Sequence, residues 1–192
     1  MAEMTPMKRQ YYEIKQQCPD CLLFFRLGDF YEMFDEDAKL ASKELDLALT
    51  TRDRGKPEEE QTPMCGVPYH SSEAYIARLI AKGYKVAICE QLEDPAAATG
   101  LVERGVIRVI TPGTVTDSSM LEEGKSNYLC ALWLEGDRGA AAFCDISTGE
   151  FCVQAFPAEA AIHITNELGR FAPREAVLSA GAEADGTIGA FL

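Results

Sequence analysis

The residues whose types and spacing most suggest chemistry are Cys18 and Cys21, which have the C-x-x-C spacing. That spacing serves tetrahedral zinc and dithiol redox reactions alike. Zinc would need two more ligands, but no second C-x-x-C occurs, and the two histidines, His70 and His163, are far apart in the sequence. A redox dithiol would follow a strand and begin a helix, whereas this pair follows a predicted helix and precedes a predicted strand. We therefore expect two ordinary core thiols.

A second candidate is the string of residues 124–126, Gly-Lys-Ser, which matches the end of a phosphate-binding loop. Ser119 stands where that loop has its first glycine, and Glu122 and Glu123 would face the phosphates. A predicted strand follows, so no helix N-terminus is available to bind an anion. We expect no nucleotide site here.

A third candidate is Asp145, which lies at the end of a predicted strand. A metal-dependent nuclease keeps a carboxylate on such a strand, together with partner acids that share the metal. The sequence offers no partner acids in suitable positions. We therefore expect Asp145 to flank a turn.

The fourth candidate is the pair Phe30 and Glu32 in the stretch "RLGDFYEMF", directly after a Gly-Asp turn signal. In extended structure, residues two apart project to the same side of the strand. The spacing favours a core Phe30 beside a solvated Glu32. It leaves open an exposed pair that acts on a ligand.

Composition sets limits on the function. The chain has 192 residues, 47% of them hydrophobic, and a formal net charge of −13, which argues against non-specific binding to nucleic acid. Of its 18 Lys and Arg residues, 14 lie within residues 1–115, where folding could gather them into one patch. The sequence has no long apolar run and no signal peptide, and its seven cysteines are scattered, so we expect a cytoplasmic protein with reduced thiols.

The elements that must position these residues form two groups. In the first group we expect a helix that starts at Thr5 and Pro6 and ends before Pro19, because Thr and Pro are favoured at a helix start. The other elements of this group are strands at 21–27, 30–34, 84–91 and 106–111, helices at 35–49 and 71–82, and a charged loop at 51–63.

The second group follows a connection with no apolar period. Residues 128–156 alternate apolar runs with turns, which predicts a three-stranded antiparallel meander with Trp133 in its core. A helix with Pro157 near its start and Gly169 past its end follows, and then a strand at 174–179. The fold class is therefore mixed α/β. The apolar end of the sequence suggests a piece of a longer protein.

Three segments, residues 5–50, 63–95 and 102–117, carry a resemblance to a known family. They occur in order and with the family's spacing, and "GDFYE" contains its Phe-x-Glu signature. This part resembles the amino-terminal mismatch-binding domain of the bacterial MutS family of DNA mismatch repair proteins. Residues 127–151 are similar to the start of the family's connector domain, which has an RNase H-like α/β fold. The resemblance does not explain the Cys18 and Cys21 pair.

The resemblance implies roles for the fourth candidate pair. Phe30 would enter the minor groove, stack on a mismatched base and kink the duplex, while Glu32 would form a hydrogen bond with that base. An apolar wedge costs about a few kcal/mol per unstacked step, and least where pairing is already defective. Discrimination would thus come from DNA deformability, in a groove that carries little sequence information.

Further contacts to DNA are expected from a set of mostly basic side chains in the first group of elements. Loss of a cation that binds phosphate should weaken binding to every sequence and flatten its salt dependence. The candidates are Arg52, Arg54, Lys56, Met64, His70, Arg78 and Lys82.

For the domain organisation we expect a mismatch-binding domain at residues 1–113, a linker at 114–126 and a truncated RNase H-like connector domain at 127–192. The resemblance places the family's ATPase, with its ATP and Mg²⁺, beyond this chain, so we expect no active site, metal or cofactor within it. The implied partners are mismatched double-stranded DNA, MutL, and a second copy of the full-length protein in a homodimer. We expect no membrane contact, and a cytoplasmic, nucleoid-associated location.

Two other function classes remain open. An acidic protein-interaction scaffold would explain the net charge and would show no preference for mismatched duplex. A metal-dependent nuclease of RNase H-like fold would cut DNA with Mg²⁺ or Mn²⁺ and would lose activity when Asp145 is changed.

Overall fold

The computed structural model describes residues 5–51, 55, 57, 61–96, 98 and 100–192. The chain divides into two compact units, one ending at Ile110 and the other starting at Thr111. Each unit has a mixed sheet with helices, which confirms the predicted α/β fold class. None of the helices in the described ranges is long and apolar enough to cross a membrane.

The first unit has a six-stranded sheet with helices on both faces. Its elements are α1 (Pro6–Lys15), β1 (Cys21–Leu27), β2 (Phe30–Phe34), α2 (Asp35–Leu45), β3 (Thr50–Thr51), β4 (Pro63–Pro68), a 3₁₀ turn (Tyr69–Ser71), α3 (Ser72–Ala81), β5 (Lys85–Gln91) and β6 (Arg104–Ile110). The strand order is β3-β4-β2-β1-β5-β6, in which β1 and β5 are parallel and the other pairs are antiparallel. The β1–β2 hairpin therefore lies in the middle of the sheet.

Helix α1 covers one face of this sheet, here called the α1 face. It starts where the sequence predicts, since the Thr5 side chain accepts a hydrogen bond from a backbone N–H of the first turn and Pro6 takes the first position. Its Tyr11 ring meets the rings of Phe25 and Phe34 edge-on, with centroid distances of 5.4 and 4.9 Å. These aromatic contacts anchor α1 over β1 and β2.

Asp37, in the first turn of α2, ties three elements together. Its carboxylate accepts hydrogen bonds from the backbone N–H of Leu23 at 3.0 Å, the hydroxyl of Tyr11 at 3.3 Å and the ammonium of Lys15 at 3.0 Å. Burial, followed by the charge of Asp37, raises the pKa of Tyr11 well above its ordinary value, so the hydroxyl stays a donor. The network fixes α1, β1 and α2 in one arrangement.

Helices α2 and α3 cover the opposite face, here called the α2 face. The thiol of Cys65 in β4 lies 3.4 Å from the carbonyl oxygen of Ala38 in α2, a direct contact between strand and helix. The sequence does not predict β4, because a strand bounded by Pro63 and Pro68 with Gly66 inside has weak local propensity. Pairing with β2 and burial of Cys65 outweigh that propensity.

The second unit has a four-stranded sheet with helices packed on one face. Its elements are a 3₁₀ turn (Ser118–Met120), β7 (Tyr128–Glu135), β8 (Arg138–Asp145), β9 (Glu150–Phe156), α4 (Ala160–Phe171), β10 (Glu175–Leu178), α5 (Ala180–Ala184) and α6 (Gly186–Phe191). The order is β10-β7-β8-β9, with β10 parallel to β7. The predicted meander, β7 to β9, is confirmed.

The expectation that Trp133 lies in the core is wrong. Strand β7 buries Cys130, Leu132 and Leu134 against the helices, and Trp133 points to the other face, where it is 44% exposed. Both faces of this meander carry apolar side chains, so the sequence does not show which face is buried. The helices that pack on the sheet decide it.

The predicted bounds of helix α4 are also wrong. The helix begins only after Glu159, which has a positive φ of 49°, and it continues past Gly169 to Phe171. A β-carbon at Gly169 would lie 3.6 Å from the ring of Phe191 in α6. Gly169 therefore lies inside the helix, beside α6, and does not end the helix.

Candidate nucleic-acid interface

Phe30 is the first residue of β2, directly after the two-residue turn of the β1–β2 hairpin. Gly28 has a φ of +56°, and Leu27 pairs with Phe30 across the turn. A positive φ at the first turn residue is typical of tight hairpins that match the twist of their strands. The turn sets Phe30 at the tip of the hairpin, where the residue is 45% exposed.

Glu32 projects on the same side as Phe30, while Tyr31 between them is buried on the α2 face. The cross-strand neighbours of Glu32 are Phe25 on β1 and Gly66 on β4. A β-carbon at Gly66 would lie 3.1 Å from the carbonyl oxygen of Tyr31 and 3.5 Å from Cγ of Glu32, so the glycine allows β4 to approach the backbone of β2 closely beside Glu32. The position of Gly66 beside Glu32 could not be predicted from the sequence, because it depends on the long-range register of β4 with β2.

Met64 and His70 lie on either side of this pair. Met64 pairs with Phe34 on β2 and is partly buried against the cluster under α1, on the same face as Glu32. His70 follows Pro68, the partner of Phe30, in the 3₁₀ turn and is exposed. The structure thus brings Phe30, Glu32 and Met64 to the α1 face, with His70 at the adjacent end of β4.

The predicted basic contacts fall into two sets. Arg52, Arg54 and Lys56 lie outside the described residues. The strand before them is described, and in it Thr50 pairs with Met64 of β4.

Arg78 and Lys82, on α3, bind the carboxyl end of α2. Arg78 donates to the carbonyl oxygen of Leu45 at 3.2 Å and contacts the carboxylate of Asp46 at 3.2 Å. Lys82 binds the carboxylate of Glu44 at 2.7 Å and its carbonyl oxygen at 2.9 Å. Cations are favoured there, because the last carbonyls of a helix carry partial negative charge. These two residues stand on the helix layer of the α2 face, apart from Phe30 and Glu32.

The other candidate motifs have local structural roles. Cys18 and Cys21 are both buried, and burial raises the pKa of Cys21 to about 11, which makes it a poor nucleophile and a poor metal ligand. In the described part of the chain, no three His, Cys, Asp or Glu side chains form a group that could hold a metal. Lys125, in the string that resembles a phosphate-binding loop, contacts the Glu122 carboxylate, and strand β7 follows.

Asp145 holds the turn between β8 and β9. The residue is 1% exposed. Its carboxylate accepts hydrogen bonds from the N–H groups of Ser147 and Asn127, both at 2.9 Å, and from the Ser147 hydroxyl at 2.6 Å. Burial alone would raise the pKa of Asp145, but these hydrogen bonds outweigh it and hold the pKa below its ordinary value. Both oxygens are thus committed to backbone groups, which confirms the expectation of an Asp that flanks a turn.

Comparison with known proteins gives two family matches. Residues 5–119 match the family model described as MutS domain I, and residues 127–189 match the one described as MutS domain II. Two proteins named DNA mismatch repair protein MutS, from Clostridium botulinum strains 657 and Hall, are 59% identical over 175 residues. The same name belongs to a Clostridium tetani protein that is 54% identical over 177 residues.

These matches cover nearly all of this chain and a small part of the relatives. The aligned region is 91% of the chain and 18% of the length of the two C. botulinum proteins. For the C. tetani protein the shares are 92% and 20%. The chain therefore corresponds to about a fifth of these relatives.

Proposed function

The chain belongs to the MutS family, and from that premise we propose that the exposed tip of its β1–β2 hairpin recognises mismatched double-stranded DNA. The observation that carries the proposal is the position of Phe30, at the end of a hairpin in the middle of the sheet and 45% exposed. A ring sealed inside the protein could not reach DNA.

In the proposed mechanism, the Phe30 ring is a wedge that enters the minor groove and stacks on a mismatched base. Opening a step costs about a few kcal/mol, and less where pairing is already defective. The ring carries no pattern of hydrogen-bond donors and acceptors, so the wedge tests only how easily a step bends and unstacks. One residue can therefore serve many kinds of mismatch.

Glu32 acts beside the wedge as a hydrogen-bond acceptor for the displaced base. Its carboxylate is repelled by the phosphates of any duplex, which penalises matched DNA as well. Only a displaced base offers a compensating hydrogen bond. Its cross-strand neighbour Gly66 has no side chain that could stand between Glu32 and that base.

Backbone contacts complete the proposed interface. Met64 and His70 flank the hairpin, and Arg52, Arg54 and Lys56, which lie outside the described residues, are proposed as further phosphate contacts. For Arg78 and Lys82 a phosphate would have to replace or share the carboxylates of Asp46 and Glu44. Phosphate contacts of this kind add affinity for every sequence and no specificity.

We keep the division into a mismatch-binding domain at 1–113, a linker at 114–126 and a connector domain at 127–192 as part of the proposal. For the full-length protein we propose the family's remaining properties: a homodimer, binding to MutL, and an ATPase with ATP and Mg²⁺ in other parts of the protein. The chain itself acts as a recognition module without catalysis. Its proposed location is the cytoplasm, at the nucleoid where its DNA target lies.

The test is a fluorescence anisotropy titration of the full-length protein with a G·T duplex and a matched duplex of the same length. Phe30→Ala is expected to reduce the ratio of the two affinities to about one, because the loss of stacking removes the few kcal/mol that separate the duplexes. Phe151→Ala is the matched control, since Phe151 is 65% exposed on β9 of the second unit. That variant should keep the wild-type ratio.

Each outcome decides between function classes. A wild-type ratio that survives Phe30→Ala contradicts the wedge. A wild-type protein that binds both duplexes equally contradicts the proposal as a whole and favours the acidic scaffold. Cleavage of either duplex with Mg²⁺ or Mn²⁺ would favour the nuclease.

A further inference from the structure

The turn before Phe30 is held by groups outside the turn itself, one on β1 and one on the 3₁₀ turn after β4. Its two carbonyl oxygens belong to Gly28 and Asp29, and in an isolated hairpin such groups face water. Here the guanidinium Nε of Arg26 donates to the carbonyl oxygen of Gly28 at 2.6 Å. The backbone N–H of Tyr69 donates to the carbonyl oxygen of Asp29 at 2.9 Å. One donor is a side chain and the other a backbone N–H, and both lie outside the turn. The two hydrogen bonds therefore limit the motion of the turn.

Arg26 makes further contacts with the same groups. Its guanidinium carbon lies 3.4 Å from the centre of the Tyr69 ring, in a stacked cation–π arrangement. One guanidinium nitrogen lies 3.4 Å from Oε1 of Glu90 on β5, and that oxygen also accepts a hydrogen bond from the hydroxyl of Tyr31. The Arg26 side chain is only 14% exposed. A single side chain thus connects the hairpin turn, the 3₁₀ turn after β4, and β5.

This cluster lies behind the proposed wedge. Arg26 pairs with Tyr31 across the hairpin, so both project to the α2 face, whereas Phe30 and Glu32 project to the α1 face. Burial, followed by the hydrogen bond to Glu90, raises the pKa of Tyr31 to about 12, so the hydroxyl stays a donor at neutral pH. The contacts therefore support the tip without occupying the surface that would meet DNA.

We propose that Arg26, stacked on Tyr69 and paired with Glu90, is a positioning residue that holds the Gly28-Asp29 turn rigid behind Phe30. The inference rests on the proposed function, since it concerns how the wedge is supported. A ring can force a base step open only if its own backbone does not yield. A flexible tip would lie along a matched duplex without opening it, and it would lose entropy when ordered at a mismatch.

The arrangement needs arginine and not merely a positive charge. The planar guanidinium can stack on a ring and donate hydrogen bonds in several fixed directions in its own plane at once. A lysine ammonium is a compact charge without a planar face. Arg26→Lys therefore keeps the charge and removes the stack on Tyr69 together with at least one of the polar contacts.

The chain offers a matched control in the second unit. Arg170 lies over the Phe171 ring at 5.1 Å and pairs with Glu167 at 3.4 Å. Arg170→Lys makes the same chemical change at another contact between an arginine and an aromatic ring, one that is more exposed and that the proposal does not involve. It should leave DNA binding as in the wild type.

The experiment measures two quantities on the full-length protein: the ratio of affinities for a G·T and a matched duplex, and the DNA bend in the saturated complex, read by energy transfer between dyes at the duplex ends. For Arg26→Lys we expect the ratio to fall about tenfold, a size that loss of a cation–π contact and a charged hydrogen bond allows. We also expect a lower bent fraction at saturation. A merely structural role would reduce the folded fraction without changing the bend of bound DNA.

An unchanged ratio and bend in Arg26→Lys would overturn the inference, as would equal loss of affinity for both duplexes. If Arg26→Lys fails to fold, Tyr69→Leu decides, because it removes the stack and keeps Arg26; we expect about a threefold fall in the ratio. Phe30→Ala distinguishes failure of the positioning role of Arg26 from failure of the proposed function. Loss of discrimination in Phe30→Ala but not in Arg26→Lys refutes only the positioning role, whereas no loss in Phe30→Ala refutes the proposed function.

Discussion

Replacing Glu32 by glutamine removes a negative charge from the proposed interface and keeps a side chain of nearly the same shape. The cross-strand neighbour Gly66 has no side chain that the amide could meet. On matched DNA the substitution relieves phosphate repulsion. On mismatched DNA the amide still offers a hydrogen bond to the displaced base, but a weaker one than the carboxylate makes.

The size of the effect follows from where Glu32 stands. It is two residues along β2 from Phe30, or about 7 Å. For an assumed separation of about 8 Å between the carboxylate and the nearest phosphate of each strand, each pair repels by about 0.5 kcal/mol in water. The sum of about 1 kcal/mol corresponds to about fivefold tighter binding of matched DNA at low salt. At 0.15 M salt the screening length is about 8 Å, which reduces the gain to about twofold.

On mismatched DNA the substitution also weakens the hydrogen bond to the displaced base, which costs about 1 kcal/mol and cancels the gain from reduced phosphate repulsion. We therefore expect Glu32→Gln to lower discrimination about fivefold at low salt, through tighter binding of the matched duplex. The assay is anisotropy with both duplexes at two salt concentrations, with Glu135→Gln as control because Glu135 is an exposed acid on β7. Equal discrimination in wild type and Glu32→Gln, or weaker binding of matched DNA by the variant, would refute this reasoning.

Two further predictions concern stability and phosphate contacts. Asp145→Asn should lower the free energy of unfolding in urea by about 1–3 kcal/mol at pH 7, because buried N–H donors lose a charged acceptor. The pKa of Asp145 is lowered by folding, so its contribution is present above an unfolded pKa of about 4 and is lost as pH falls through the folded pKa; an equally steep acid loss in the variant would contradict this. Arg78→Ala and Lys82→Ala should each weaken binding to matched and mismatched duplexes alike and reduce the salt slope by about one; unchanged slopes would limit these residues to binding the end of α2.

Local signals in the sequence were sufficient for much of the fold. The Thr-Pro pair correctly predicted the start of α1, and apolar runs separated by Gly-containing turns correctly predicted β7 to β9. Strand β4 could not be predicted, because prolines at both of its ends give the segment a low strand propensity. The segment is extended because it pairs with β2. The exposure of Trp133 could not be predicted either, since only the helices packed on the sheet decide which apolar face is covered.

The candidate site divides in the same way. That Phe30 and Glu32 share a side follows from strand geometry alone, and the structure adds that Phe30 is exposed. Gly66 and Tyr69 contact the hairpin from about 35 to 40 residues away in sequence, through the register of β4 with β2 and the 3₁₀ turn that follows. No local pattern carries such contacts.

The most direct measurement of the wedge is photo-crosslinking from position 30. The full-length protein is made with p-benzoylphenylalanine in place of Phe30 and irradiated with a duplex that contains one G·T pair. The proposal predicts crosslinks at the mismatched nucleotide or its immediate neighbour, and only background on the matched duplex. Crosslinks spread evenly along both duplexes, or none to DNA at all, would contradict it.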